Sequence, residues 1–322
     1  MRSGTLPLPP GGLDLTATLE SGQTFLWERV DGGTYGDVAW AERAPAPADD
    51  APTAAPETGW YATTASGGAL HARVRDGRLE WRASDGVADP EAVLGRRLCL
   101  DDDLGAVADA APADPVVDAA FAATPGLRLV AEPFWPTLVS FICSAQMRVE
   151  RIFAMCGALR ERYGEPVTLA GHTTHTFPSS ADLAAAEEAD LRGLKLGYRA
   201  PYVRDTAAIV ADGEQSRDAA DGLPYEAARE ALTAFVGVGE KVADCVLLFS
   251  LCYREAVPLD TWIRRAIATY FPNCERGSYA ETSRAIRDRL GGELAGYVQT
   301  YVFHYLRTRG IDAAPVPAPA EE

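Results

Sequence analysis

Leu232-Thr-Ala-Phe235-Val-Gly237-Val-Gly239-Glu-Lys241-Val-Ala-Asp244-Cys245, followed by Ala256-Val-Pro258-Leu-Asp260-Thr-Trp262, is the stretch whose reading decides the fold of this chain. The helical pattern from Tyr225 stops at Phe235, and a second helix starts at about Glu240. Between them, Gly237 and Gly239 predict a tight hairpin, so residues near 226–252 read as a helix-hairpin-helix unit. Two glycines let backbone approach a ligand closely, and a fresh helix start offers unpaired N–H groups and a positive dipole end. Such a hairpin suits a DNA phosphate gripped without reading sequence. A plain turn between two helices, with glycine chosen for positive φ, explains the two glycines equally well.

Lys241 tips that balance. It is one of two lysines, the other being Lys195, which leaves 28 arginines among the 30 basic residues. It lies in the first turn of a helix, where a cation is disfavoured. Its flanks Val242, Ala243, Val246 and Leu247 are apolar and disfavour a buried charge. An amine can lose its proton and attack carbon, whereas a guanidinium cannot. Asp260 precedes another predicted helix and suits its N-cap. A carboxylate at a helix start is expected to stay ionised, able to steady a developing oxocarbenium cation or help activate a nucleophile.

The chain has 322 residues, 47% hydrophobic, with a mean hydropathy of −0.09. That supports a substantial core and is more natural for two domains than one. No apolar run approaches the roughly 20 residues of a membrane helix, and the Met1–Pro10 segment lacks the apolar stretch of a secretion signal. The expectation is a cytoplasmic protein with no membrane partner. There are 46 acidic against 30 basic residues, a net charge of −16 and a pI near 4.7. Few lysines on an acidic background resemble the bias of salt-loving microbes, where self-repulsion is screened within a Debye length of about 3 Å in molar salt. Net acidity therefore neither supports nor excludes a nucleic acid. Within it, 191–204 carries Arg192, Lys195, Arg199 and Arg204 with no acid, predicting a phosphate-facing patch. Six scattered cysteines with no CxxC pair, several of them in apolar helical patterns as buried free thiols are, predict neither zinc site nor disulfide framework.

Residues 11 to about 100 read as strand-rich. Leu13–Leu19 alternates apolar and polar at period two, and 69–82 reads as a hairpin across Asp76-Gly77. Residues 44–59 are rich in Ala, Pro and Asp and predict a loop insertion. From about 116 the period is helical, with helices predicted over 135–163, 180–194, 200–212, 225–235, 241–252, 261–270 and 279–308. An acidic connection spans 213–222, and 313–322 read as a disordered tail. The fold class is α+β, with an antiparallel sheet domain over 1–115 and a helical body over 116–312.

The Gly-Val-Gly-Glu-Lys241 hairpin and Val-Pro-Leu-Asp260 resemble the helix-hairpin-helix DNA glycosylase superfamily, and within it most closely the 8-oxoguanine DNA glycosylases. Leu13-Asp-Leu-Thr and Ser21-Gly-Gln-Thr-Phe-Leu-Trp27, Ser140-Phe-Ile-Cys-Ser144 with Arg151-Ile, and Lys195-Leu-Gly-Tyr198-Arg199-Ala-Pro-Tyr202 resemble that family in the same order. The resemblance implies a base-excision repair enzyme, with glycosylase and abasic-site lyase activity on 8-oxoguanine opposite cytosine. The damaged nucleotide is swung out of double-stranded DNA into a pocket. Lys241 then attacks C1′ and forms a Schiff base, with Asp260 in electrostatic support. No metal or organic cofactor is implied, although the hairpin could hold a cation beside phosphate, and the protein is expected to be a monomer.

By the same resemblance, Gly22 offers a carbonyl to the N7–H that distinguishes 8-oxoguanine from guanine. Cys245 and Phe303 pack the two faces of the extruded base, and Gln299 reads its edge. Arg151 and Arg199 read the orphaned cytosine, Tyr198 wedges beside it, and Gly237 and Gly239 grip phosphate. Two positions depart from the family pattern. Gln146 stands where an Asn usually enters the vacated stack, and Trp262 stands where many relatives have a histidine two residues after the aspartate. After Cys252 only Cys274 remains, so the four-cysteine iron–sulfur cluster of other superfamily members cannot form. The rival readings are a glycosylase for alkylated or other damaged bases, and a non-catalytic DNA-binding module that keeps the hairpin. Water-dependent glycosylases need only the aspartate, so Lys241 argues against them.

Overall fold

In the computed structural model, residues 1–35 and 56–314 are described. Most of the predicted 44–59 insertion and the tail from 315 lie outside the described residues; 56–59 carry no helix or strand. The N-terminal half is built on five antiparallel strands: β1 (Arg2–Pro7), β2 (Glu28–Arg29), β3 (Tyr61–Ala65), β4 (Gly68–Arg75) and β5 (Arg78–Ala83), in the order β1-β5-β4-β3-β2. The 69–82 hairpin forms as predicted, with Arg75 opposite Arg78. Asp76 and Gly77 both have positive φ, 49° and 68°, the conformation that matches the twist of the flanking strands. Leu70, Ala72, Val74, Leu79, Trp81 and Ala83 are buried, and together with Leu94 and Leu98 they form the N-terminal core.

Leu13–Leu19 is not a strand. Asp14 caps a helix, α1 (Leu15–Glu20), by accepting from the Ala17 N–H at 2.9 Å. All six residues of α1 are buried, so its threonines do not mark a solvent face, and apparent alternation was no guide to period. Leu15 and Leu19 join the N-terminal core while Ala17 packs into the helical body.

Three helices follow the sheet: α2 (Pro90–Arg97), α3 (Leu104–Ala110) and α4 (Pro115–Ala123). The remainder is helical: α5 (Phe134–Cys143), α6 (Val149–Tyr163), a small hairpin of β6 (Pro166–Leu169) and β7 (His172–His175), α7 (Ser180–Ala184), α8 (Glu188–Gly193), α9 (Ala200–Ala211), α10 (Tyr225–Leu232), α11 (Glu240–Phe249), α12 (Thr261–Tyr270), α13 (Tyr279–Arg289) and α14 (Ala295–Arg309). Three long helices predicted from sequence are each broken in two. Ser144 ends α5 by donating its hydroxyl back to Phe141 O at 2.7 Å, so 135–163 is split. In 180–194 the chain breaks after Ala184 and restarts at Glu188. Gly291 and Gly292, at φ 98° and 62°, divide 279–308. Among the described residues no helix is long and apolar enough to cross a membrane.

Two buried charged side chains lock the first 35 residues onto the body. Arg128, 0% exposed, donates to the carbonyls of Pro10, Gly12, Cys99 and Asp102 at 2.8–3.0 Å. Glu132 accepts from Thr24 Oγ1 at 3.0 Å, Trp27 Nε1 at 2.7 Å and Arg97 Nε at 2.6 Å. Arg97 and Glu132 are both 3% exposed, so removing one partner strands a charge. Arg97→Met is expected to cost about 3–5 kcal/mol in urea unfolding, with much of the loss recovered in Arg97→Met/Glu132→Gln.

Candidate active site

The hairpin of the deciding segment forms between α10 and α11. Buried Phe235 and Val238 pin it from below, and the Val238 N–H donates to Phe235 O at 3.1 Å. Gly237 has φ +79°, and a Cβ there would lie 2.7 Å from the Cβ of Tyr202. Gly239 is the N-cap of α11 and supplies no side-chain cap, leaving N–H groups of the first turn without a capping side chain.

In the first turn of α11, Lys241 turns inward and is half-buried. Its Nζ donates to Ser144 Oγ at 2.9 Å and lies 5.5 Å from the centre of the Phe141 ring. Four residues on, Cys245 is buried, and burial pushes its thiol up to about 12 despite nearby Lys241, so it packs as a neutral group. Asp260 caps α12, accepting from the Ile263 N–H at 2.8 Å. Two effects oppose each other at this carboxyl. Burial raises this carboxyl above its ordinary range, and the capping N–H groups and Lys241 offset that only in part.

Lys241, Cys245 and Asp260 line a single cavity of about 730 Å³ together with Gly22, Gln146, Trp262, Gln299 and Phe303. Gly22 belongs to a turn held by Gln23, whose amide donates to Arg128 O and Ser21 Oγ, both at 3.0 Å. At φ +98°, a Cβ on Gly22 would sit 2.9 Å from Val149 and 3.6 Å from the Phe303 ring, so bare backbone faces the aromatic edge. Gly22→Ala is expected to cost about 1–3 kcal/mol, read as a lowered urea midpoint at unchanged slope. Gln299, 4% exposed on α14, has a side-chain carbonyl without a hydrogen-bond partner among the described residues. An orphaned buried acceptor in a cavity wall is what a ligand N–H would satisfy.

The remaining singled-out residues lie outside this cavity. Arg151 is exposed on α6. Arg199 is only 3% exposed; its guanidinium donates to Ala145 O and packs 4.3 Å from the exposed Tyr198 ring, whose hydroxyl also reaches Ala145 O at 3.4 Å. In this form Arg199 and Tyr198 hold the loop carrying Gln146, which itself has φ +53°. The predicted 191–204 patch is largely neutralised. Arg192 pairs with Glu188 at 2.7 Å, and Arg204 with Asp205 at 2.9 Å and Glu188 at 3.3 Å, because acids just outside the window fold back on it. Exposed, unpaired positive charge gathers instead on Arg148, Arg151, Arg264 and Arg265, none of which forms an ion pair among the described residues. Arg148 and Arg264 line the cavity, and Arg265 stacks over Trp262 at 5.0 Å. Ser144, Arg148 and Arg264 were not legible as site residues. Ser144 stands inside a predicted continuous helix, and the arginines sit among 28.

Residues 139–291 match the HhH-GPD superfamily of base excision DNA repair proteins. That match spans just under half of the chain. It is 38% identical over 208 residues to the probable N-glycosylase/DNA lyase of Methanothermobacter thermautotrophicus, covering 58% of this chain and 65% of that relative. It is 39% identical over 152 residues to the N-glycosylase/DNA lyase of Saccharomyces cerevisiae, covering 44% of this chain and 40% of that one. The chain thus spans under two thirds of the length of these two curated relatives. The solved structure of MBOgg1 in complex with a low affinity DNA ligand superposes with a TM-score of 0.79 at 26% identity, covering 95% of both chains. The HhH-GPD match includes α10, the hairpin, α11 and Asp260; Gly22, Gln299 and Phe303 fall outside it.

Proposed function

We propose that this protein is a bifunctional DNA glycosylase and abasic-site lyase that removes 8-oxoguanine opposite cytosine from double-stranded DNA. The observation that carries the reading is one cavity faced at once by a lysine amine, a helix-capping carboxylate and an unpartnered buried amide carbonyl. Relatives named N-glycosylase/DNA lyase support the reaction class.

The target base lies inside the duplex stack, so the nucleotide must be extruded to reach such a cavity. Gln146 on its exposed loop is suited to fill the gap, and Arg148, Arg151, Arg264 and Arg265 to meet phosphates around the mouth. Within the cavity, Phe303 and the neutral Cys245 thiol offer two packing surfaces for a purine. The Gln299 carbonyl can accept an N–H from the base edge, and the Gly22 backbone can accept the N7–H that guanine lacks. A site built to receive that hydrogen leaves acceptor facing acceptor when guanine enters.

Once it has given up a proton to solvent, the Lys241 amine forms a bond to C1′ as the C1′–N9 bond breaks, and the electron pair of that broken bond leaves with the base. The Asp260 carboxylate offsets the positive charge growing on the sugar. Loss of the amine proton and opening of the sugar ring give a protonated imine. Removal of a C2′ proton expels the 3′ phosphate by β-elimination, and water releases the lysine. Such a substrate fits work on chromosomal DNA, in line with the cytoplasmic location expected from the sequence.

Duplexes carrying 8-oxoguanine opposite cytosine, an alkylated purine, or no damage, compared at high salt under single turnover, test the reading. Base release and strand cleavage confined to the 8-oxoguanine duplex are expected. Release of the alkylated base alone would support the rival glycosylase, and binding of all three without release would support a non-catalytic binding module.

A further inference from the structure

A buried cluster behind the cavity ties the two candidate catalytic groups together through a residue that touches neither the lysine nor the cavity. Asp244, 0% exposed, lies three residues after Lys241 on α11. Its Oδ1 accepts from the Tyr225 hydroxyl of α10 and its Oδ2 from the Tyr279 hydroxyl of α13, each at 2.7 Å. The Tyr279 oxygen in turn accepts the backbone N–H of Leu259 at 3.0 Å. Leu259 precedes Asp260, whose own N–H closes a tight turn onto Pro258 O at 2.9 Å. The path from the lysine helix to the aspartate turn is therefore two hydrogen bonds long. Because Tyr279 spends its only proton on Asp244, its lone pair is left facing the Leu259 N–H.

We propose that Tyr279, oriented by Asp244, is a positioning residue that sets the Asp260 carboxylate against Lys241. The inference rests on the glycosylase reading above. Helix capping by Asp260 fixes the start of α12, but it does not fix the 257–260 turn relative to α11; the Tyr279 oxygen does. Tyr225, Arg229 and Ser283 complete the surroundings: Arg229 Nη1 lies 3.9 Å from Asp244 and donates to Ser283 Oγ at 3.2 Å. Asp244, whose carboxyl burial pushes up to about 7, thus has three fixed neighbours and little freedom to turn.

Tyr279→Phe keeps the ring and removes both hydrogen bonds. Excision of 8-oxoguanine under single turnover is expected to slow by about 10- to 100-fold, the scale of a misplaced reacting group. Duplex binding and cleavage of a preformed abasic site, where lysine meets an open aldehyde, are expected to stay near wild type. In an Asp260→Asn background the same change should add almost nothing, since the group being positioned is already gone. Full additivity, or equal losses in excision and abasic-site cleavage, would overturn the proposal in favour of a general structural role. Should Tyr279→Phe not fold at the assay temperature, the same cycle is run with Asp244→Asn. Loss of folding in both would also overturn it, because the pair would then be holding the fold rather than Asp260. Failure of wild type to excise 8-oxoguanine would instead sink the glycosylase reading itself.

Discussion

Replacing Lys241 by Gln is expected to abolish strand cleavage and to slow release of 8-oxoguanine by at least about 10³-fold, the scale seen when a covalent nucleophile is removed. Duplex affinity should be almost unchanged, because the amine faces Phe141 and Ser144 inside the cavity rather than a phosphate. Gln can still donate to Ser144 Oγ, so the loop that carries Gln146 keeps its anchor. Lys241→Arg separates two explanations. Arginine keeps the positive charge but cannot give up a proton to become a nucleophile. A purely electrostatic role predicts partial rescue by Arg, whereas the mechanism proposed here predicts none. A quenched single-turnover time course on an 8-oxoguanine:cytosine duplex reads both variants, and Lys241→Arg within tenfold of wild type would contradict the account.

Asp260→Asn is expected to lower the excision rate by about 10²–10³-fold, comparable with loss of one group aimed at developing charge. Asparagine caps helices as well as aspartate, so the Ile263 N–H keeps its acceptor and stability should hold within about 1 kcal/mol. The wild-type enzyme carries a further signature of this carboxyl. Burial raises its proton affinity in the folded state, so the ionised form is lost as pH falls through a window above the ordinary aspartate range. Excision should decline across that window. Stability moves oppositely, because the folded state binds this proton more tightly than the unfolded one and the group favours the native state on the acid side. A rate that falls on mild acidification, with no loss of urea stability attributable to this residue, is the expected pair of results. Asp260→Asn should flatten that acid limb.

Physical reasons separate what was legible in the sequence from what was not. The Asp76-Gly77 hairpin and the 261–270 helix were readable because local chemistry decides them: paired positive φ at a turn, and an aspartate cap ahead of an apolar stripe. Lys241 stood out against a background of arginine, and Gly22, Gln146, Cys245, Asp260, Trp262, Gln299 and Phe303 meet it in one cavity, whereas Arg151, Tyr198 and Arg199 lie outside it. Leu13–Leu19 misled because a helix buried on every side has no polar face to reveal its period. The 135–163 run misled because Ser144 breaks it without glycine or proline. Asp89-Pro90 and Asp114-Pro115 mark the starts of α2 and α4, each placing a cap before proline at the first helical position. The arginine patch failed as a sequence inference because Glu188 and Asp205 lie just beyond its ends and fold back onto it. Charge neutrality is decided in space, and a window along the chain does not see it.

Architecture explains why the cavity needs both halves of the chain. Gly22 is set by Gln23 and Arg128, whereas Lys241, Asp260 and Gln299 come from three helices of the body. The Arg128 and Glu132 contacts hold these parts in register. Loosening them should impair the pocket before it impairs the hairpin.

Borohydride trapping on an 8-oxoguanine:cytosine duplex, with the adduct digested and mapped by mass spectrometry, tests the central claim most directly. The account predicts a covalent protein–DNA complex carried on the peptide containing Lys241, absent from Lys241→Gln. An adduct on any other residue, or its persistence in that variant, would contradict it.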